Sequence, residues 1–236
     1  MKTVWCFGDS WTWGSELWDE TICSEHEAQQ RYGFDFTLKC KENHSYVYSH
    51  RWSGILNRHS ELNVLNFGEP GCSNEAIVEI INHTINTLQY YPDYSIISWT
   101  SQSRETSRKK DWKDIDNPSF RFISEQSTLT DDEQEAKFLT EVCAANFLLS
   151  KSKVINIDAF HKNKTHYPLP DFIYYKKETL LGIATEYKFP EITSYTKELH
   201  WNYCEKNIKS VNLKGNGHPD ENGHKLIANY FLKELL

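Results

Sequence analysis

Apolar positions along the chain fall into two kinds of run, short continuous stretches and stripes at helical spacing. Val4 to Phe7, Asn63 to Asn66, Tyr94 to Trp99 and Lys153 to Asp158 are the short stretches, and each reads as a strand of a buried sheet. The stripes predict helices. Trp52, Ile55 and Leu56 mark one over roughly 50–59, and Ile77, Ile80, Ile81, Ile85 and Leu88 mark a second behind an N-cap at Ser73 or Asn74. Asp131 to Ser150 forms a third, with Ala136, Leu139, Val142, Cys143, Asn146 and Phe147 on one face. The last runs from Asp220 to the terminus with Leu226, Ile227, Tyr230 and Phe231 inward, and Val211 to Leu213 reads as a fifth strand edge. Strands alternating with helices predict an α/β fold, a parallel sheet covered on both sides.

Three stretches break the pattern. Ser15 to Ser49 mixes acids with aromatics, Ser101 to Thr130 is polar and charged, and Ala159 to Lys209 is aromatic and irregular. They read as insertions, near 15–49, 101–130 and 159–210, in a single domain spanning 1–236. A length of 236 residues suits one large α/β domain. The formal charge of −7 argues against broad nucleic-acid affinity, which wants a basic face. Six scattered cysteines without a CxxC pair read as reduced thiols. No apolar run suits a membrane span or an export signal, so a cytoplasmic location is expected.

Candidate chemistry sits at the two ends. The strand Val4–Phe7 runs into Gly8, Asp9 and Ser10, which places a serine hydroxyl at the carboxyl end of a first strand, where open α/β sheets put their chemistry. Serine needs a base, and its own N–H can help hold an oxyanion. His218, in NGHPDENGH just before the last helix, is the candidate base; Pro219 suits the first turn and Asp220 the free N–H groups there. His224, four residues beyond Asp220, reads as a capping residue or a surface partner of that aspartate, with a catalytic role as the lesser alternative. The ten histidines show no metal-ligand spacing, and the turn after strand one lacks the glycine-rich cradle of a nucleotide binder, so neither metal nor cofactor is expected.

Gly8-Asp9-Ser10 near the N-terminus, Asn66-Phe67-Gly68-Glu69-Pro70-Gly71 in the first half, and His218-Pro219 before the last helix resemble three blocks of the SGNH/GDSL esterase–lipase family. FGDSWTWG with the later SWTSQSR also resembles a subgroup found among phages and bacteria. The resemblance implies a three-layer, flavodoxin-like α/β/α sandwich and hydrolysis of O-acyl esters, often acetyl groups on sugars. It makes Ser10 the nucleophile, His218 the base, and the N–H groups of Ser10 and Gly71 part of the oxyanion hole.

Two departures stand out. Where the family has Gly-x-Asn-Asp after the third strand, this chain has Ser98-Trp99-Thr100-Ser101-Gln102. A hydroxyl of Thr100 or Ser101 could donate instead, with the Gln102 amide further on; losing such a donor costs on the order of 100–1000-fold in rate. Where the family places an aspartate shortly before the histidine, Gly215 and Asn216 stand here. Asn216 could orient the imidazole through its carbonyl but adds no charge. With an aromatic fraction of 14%, Trp11, Trp13 and Trp18 either flank a substrate or pack an insertion. Asp9 is counted with the substrate-binding set. Arg104 either binds an anionic substrate group or is one solvated charge among Arg108, Lys109 and Lys110. The partner is then a small-molecule or glycan ester. The alternatives are an O-acyltransferase using the same residues, or a catalytically degenerate binding module for a glycan or protein.

Overall fold

The computed structural model describes residues 1–15, 17–32, 36–107, 123–160, 162–163, 165–186, 212–214 and 217–236. Asn216, Val211, Cys204 and the basic run 108–110 lie outside these. The chain divides into two compact units: Met1–Trp13 with Ser60–Leu180, and Gly14–His59 with Leu181–Leu236.

The first unit holds the sheet. Its strands are β1 (Lys2–Phe7), β2 (Leu62–Asn66), β3 (Tyr94–Trp99), β6 (Lys153–Asp158) and β7 (Tyr175–Thr179), in spatial order β2-β1-β3-β6-β7 and all parallel. Between β3 and β6 a separate antiparallel ribbon pairs β4 (Arg104–Ser107) with β5 (Ile123–Gln126). Residues point alternately to the two faces of a strand. One face sets Trp5, Phe7, Ile97 and Trp99 against α6 (Asn74–Leu88) and α7 (Asp131–Leu148), where Ile77, Ile81, Phe138, Val142 and Ala145 are buried. On the opposite face Val4, Cys6, Ile96, Ser98, Ile155 and Ile157 are also fully buried. The sheet is therefore the middle layer of a three-layer α/β/α fold, as the strand–helix alternation predicted.

The two helices on this face start at side-chain caps. Ser73 caps α6, its hydroxyl accepting from the Ala76 N–H, and Thr130 with Glu133 forms a capping box on α7. Inside the interface of α7 with the sheet, Asn156 Oδ1 accepts from Trp99 Nε1 (2.9 Å) and Asn146 Nδ2 (3.3 Å), while Asn156 Nδ2 donates to Asn146 Oδ1 (3.2 Å) and the Tyr174 carbonyl (3.1 Å). This polar cluster fixes how α7 sits on the sheet.

The structure corrects the sequence reading in three places. The fifth strand of the sheet is Tyr175–Thr179; of the expected edge Val211–Leu213, Val211 lies outside the described residues and Leu213 makes an isolated bridge to Pro219. The sequence YKKET carries no apolar run because β7 is an edge strand with two exposed residues, paired irregularly on one side only. The buried face of α7 is turned from the expected one: Glu135 and Phe138 are buried, Ala136 is exposed, and Phe147 is 79% exposed. Glu135 can be buried because it accepts from the His166 and Tyr167 backbone N–H groups and pairs with the His166 ring.

Residues 15–49, expected to be irregular, carry helices of the second unit: α2 (Glu25–Tyr32), α3 (Phe36–Lys39) and α4 (His44–His50). In α2 only Ala28 is buried, so no stripe marks it. Its signal is the cap at Ser24, whose hydroxyl accepts from the Glu27 N–H while Glu27 accepts from Ser24. The same unit pairs α5 (Trp52–Asn57) with α9 (Glu221–Leu235), and includes most of α8 (Leu180–Thr185). No helix among the described residues is long and apolar enough to cross a membrane.

Candidate active site

Ser10 opens α1 (Ser10–Trp13), a single turn entered directly from the carboxyl end of β1. β1 lies between β2 and β3, so the turn stands where the sheet's connections change direction. Gly8 makes the turn possible. Its φ is +155°, and a Cβ there would lie 2.2 Å from Thr12 Oγ1 and 2.9 Å from Ser98 Cβ. Asp9 is wholly buried and closes the turn: its Oδ1 accepts from the Trp11 N–H (3.1 Å) and its carbonyl from the Thr12 and Trp13 N–H groups (3.0 Å each). Its other oxygen faces Arg104 Nη1 at 3.5 Å, and the Arg104 guanidinium stands 5.3 Å from the centre of the Phe160 ring. Asp9 is thus a structural carboxylate with its own counter-ion. Arg104 is not a bare solvated charge.

The loop after β2 locks onto this turn. The Phe67 and Glu69 N–H groups donate to the Cys6 and Gly8 carbonyls at 2.8 and 2.9 Å. Asn66 Nδ2 donates to the Thr12 carbonyl, and Asn66 Oδ1 accepts from the Gly68 N–H (2.6 and 2.8 Å). Gly68 is required by close approach, since a Cβ would come 2.7 Å from the Trp13 nitrogen. Gly71 takes φ +78°, and Cys72 Sγ donates to the Gly8 carbonyl at 3.4 Å. Burial pushes the Cys72 thiol up, helped by the Asp9 charge, so it stays protonated.

The third stretch is the β3–β4 loop, and it too touches the turn: Ser98 packs against Gly8, and Arg104 reaches Asp9. Two asparagines hold it: Asn74, read from the sequence only as a possible helix cap, and Asn163, which the sequence reading passed over. Asn74 matches the Thr100 backbone on both sides, accepting its N–H (2.8 Å) and donating to its carbonyl (3.1 Å). Asn163 donates to the Thr100 carbonyl (3.0 Å) and to Asp158 Oδ1 (2.6 Å), and accepts the Gln102 N–H (3.0 Å). Asp158, at the end of β6, also accepts from the Tyr175 hydroxyl at 2.6 Å; burial drives its carboxyl up to about 6 against these hydrogen bonds. The Ser101 hydroxyl pairs with that of Ser103 at 2.8 Å. Thr100 is 1% exposed.

Trp11 and Trp13 are buried at 1% and 8% exposure, and Trp18 at 3% packs with Phe36 and Cys40. Neither Trp11 nor Trp13 offers an open face to a sugar ring, which corrects the substrate-flanking reading.

His218 belongs to the second unit. It sits half-buried in a tight return, where its carbonyl accepts the Lys214 N–H (2.8 Å) and the Asp220 N–H donates to the Asn212 carbonyl (2.9 Å). Asp220 is the N-cap of α9, its Oδ1 accepting from the Gly223 N–H at 2.9 Å. His224 is not a surface partner of Asp220. It is fully buried, and its Nδ1 accepts the Trp52 N–H at 3.3 Å. That N–H is a first-turn donor of α5 with no helical partner, so His224 caps one helix from another. Burial, and then the neighbouring His218 and Arg51 charges, lower its pKa to about 3. Among the described residues no group of three His, Cys, Asp or Glu gathers as a metal site would.

No protein-family model matches this chain, and no curated protein sequence matches it significantly. Solved structures do resemble it. A member of the lipolytic protein G-D-S-L family from Veillonella parvula DSM 2008 is 15% identical, with 98% of this chain and 96% of that chain covered at a TM-score of 0.46. A psychrotrophic esterase from Pseudoalteromonas sp. is 10% identical over 100% and 97% of the two chains, at 0.47. A lipase/acylhydrolase from Enterococcus faecalis is 16% identical over 100% and 95%, at 0.45. The fold assignment rests on the strand order itself.

Proposed function

We propose that this protein is a serine hydrolase of O-acyl esters, acetylated carbohydrates included, of the SGNH type and working through an acyl-Ser10 intermediate. The observation that carries the reading is the Gly8–Ser10 turn: a serine presented at the carboxyl end of the first strand, on a backbone held by the loop after β2 and the end of β3. Such rigidity favours a nucleophile over a chance turn tripeptide.

In this reading Ser10 Oγ attacks the ester carbonyl carbon and its proton passes to His218. The carbonyl π pair moves onto oxygen, where the N–H groups of Ser10 and Gly71 stabilise it. As the pair returns, the C–O bond to the alcohol breaks and the alcohol leaves with the proton from His218. Water then repeats the sequence on the acyl-serine, releasing the acid and restoring the hydroxyl. Another alcohol in place of water would make the same site an acyltransferase.

Hydrolysis of p-nitrophenyl acetate and longer esters by wild type, Ser10→Ala and His218→Ala tests this, together with labelling by a fluorophosphonate. Activity and labelling lost in both variants support the mechanism; activity unchanged in Ser10→Ala overturns it.

A further inference from the structure

Arg104 is anchored at one corner and open at the others. A guanidinium carries five N–H donors in a planar fork that matches a carboxylate. Here Nη1 faces Asp9 Oδ2 at 3.5 Å, long for a hydrogen bond, and the group lies 5.3 Å from the centre of the Phe160 ring. Asp9 takes only part of the fork, because its other oxygen already accepts the Trp11 N–H at 3.1 Å. No further side chain or carbonyl accepts from Arg104 among the described residues, and its side chain is 32% exposed. Its neighbours tie it to the nucleophile turn. Phe160 meets Trp11 edge-on, with ring centres 5.2 Å apart. Ser10 therefore stands in the chain between Asp9, which Arg104 touches, and Trp11, which Phe160 touches. Held by an ion pair and an aromatic face, the guanidinium has little freedom left to lose when a second anion binds.

We propose that Arg104 is a specificity-determining residue: the ester attacked by Ser10 carries a carboxylate, which accepts the remaining N–H groups of Arg104, while Asp9 and Phe160 position the guanidinium. The assignment rests on the esterase reading above and names its substrate class, an acidic ester. The charges nearby favour a carboxylate over a phosphate monoester. Asp9 and Glu69 both act on the Cys72 thiol beside the turn, against Arg104. One guanidinium in that company balances a single further negative charge and not two.

The test measures kcat/KM for two matched pairs of esters. In 4-acetoxybenzoate against 4-acetoxybenzamide the carboxylate is on the alcohol side; in mono-p-nitrophenyl adipate against p-nitrophenyl hexanoate it is on the acyl side. Wild type should prefer the carboxylate member of one pair on the order of tenfold, mostly through KM. Arg104→Gln should bring that ratio to about one, and Arg104→Lys, which keeps the charge without the fork, should keep part of it. Should Arg104→Gln fail to fold because Asp9 is left as an unpaired buried carboxylate, the double variant Asp9→Asn with Arg104→Gln removes both charges and the same ratio is read. A wild type with no preference in either pair, or an Arg104→Gln variant that loses rate equally on both members, overturns the assignment and leaves the esterase reading intact. Faster turnover of 4-acetoxyphenyl phosphate than of 4-acetoxybenzoate overturns the choice of carboxylate. A wild type that neither hydrolyses any ester nor labels with a fluorophosphonate overturns both readings.

Discussion

Two polar clusters in the sheet-bearing unit are built in opposite ways. Between α7 and the sheet, the Asn146 and Asn156 amides and the Trp99 indole N–H satisfy one another and the Val142 and Tyr174 carbonyls. At the carboxyl edge of the sheet, Thr12 Oγ1, Ser98 Oγ, Thr100 Oγ1 and Gln102 Oε1 are each buried without a partner among the described residues. Burying polar atoms is cheap when they are matched and expensive when they are not. The matched cluster therefore specifies packing. The unmatched one is the kind of cost that proteins carry where function demands it.

The sharpest way to break this comparison is to remove the proposed nucleophile. Ser10→Ala should cut ester hydrolysis by about 10⁴-fold or more, with the unfolding midpoint in urea little changed. A large stability loss in that variant would make the turn a structural device. Next comes the matched cluster. Asn156→Ala leaves the Trp99 indole N–H and the Asn146 amide without their partner, and should cost about 3 kcal/mol in urea unfolding. Activity per folded molecule should stay near wild type.

The pH dependence of stability gives a third measurement. The folded pKa of His224, about 3, lies below its ordinary value of 6.5, so the unfolded chain takes up the proton first. Its contribution is complete above pH 6.5 and declines as pH falls toward 3. Between pH 7 and pH 5 the loss should be about 2 kcal/mol, and smaller in His224→Gln. Asp158 acts in the other direction. Its folded pKa is raised from 3.8 to about 6, so its contribution is greatest below pH 3.8 and is lost as pH rises through 6. Asp158→Asn should therefore steepen the acid-side decline that His224 produces. The smallest effect belongs to the unmatched hydroxyls. Ser98→Ala should be neutral or stabilising by up to about 1 kcal/mol, where the matched cluster loses stability on the same kind of truncation.

Much of the fold was legible because burial on both faces writes itself as a continuous apolar run. Tyr94–Trp99 and Lys153–Asp158 have the predicted limits to the residue, and Asp220 caps α9 as its position suggested. Strand β7 was not legible, since an exposed edge needs no apolar residues. Helix α2 was hidden for a similar reason, with one buried alanine and its start written only in Ser24 and Glu27. The buried face of α7 was misjudged because Glu135 looks like a surface residue until its partners at His166 and Tyr167 are known.

By itself, then, the sequence determined the α/β class, the strand order's buried members, and a serine on a glycine turn after the first strand. These depend on residues near one another in the chain, whose conformational preferences and periodicity are local properties. Only the tertiary structure decided that Asp9 belongs to Arg104, that His224 is a neutral cap for α5, and that Asn74 and Asn163 hold the loop carrying Gln102. Those pairings join residues between 26 and 172 positions apart. A hydrogen bond leaves no periodic trace in either partner, so only folding reveals which polar residues are matched and which are not.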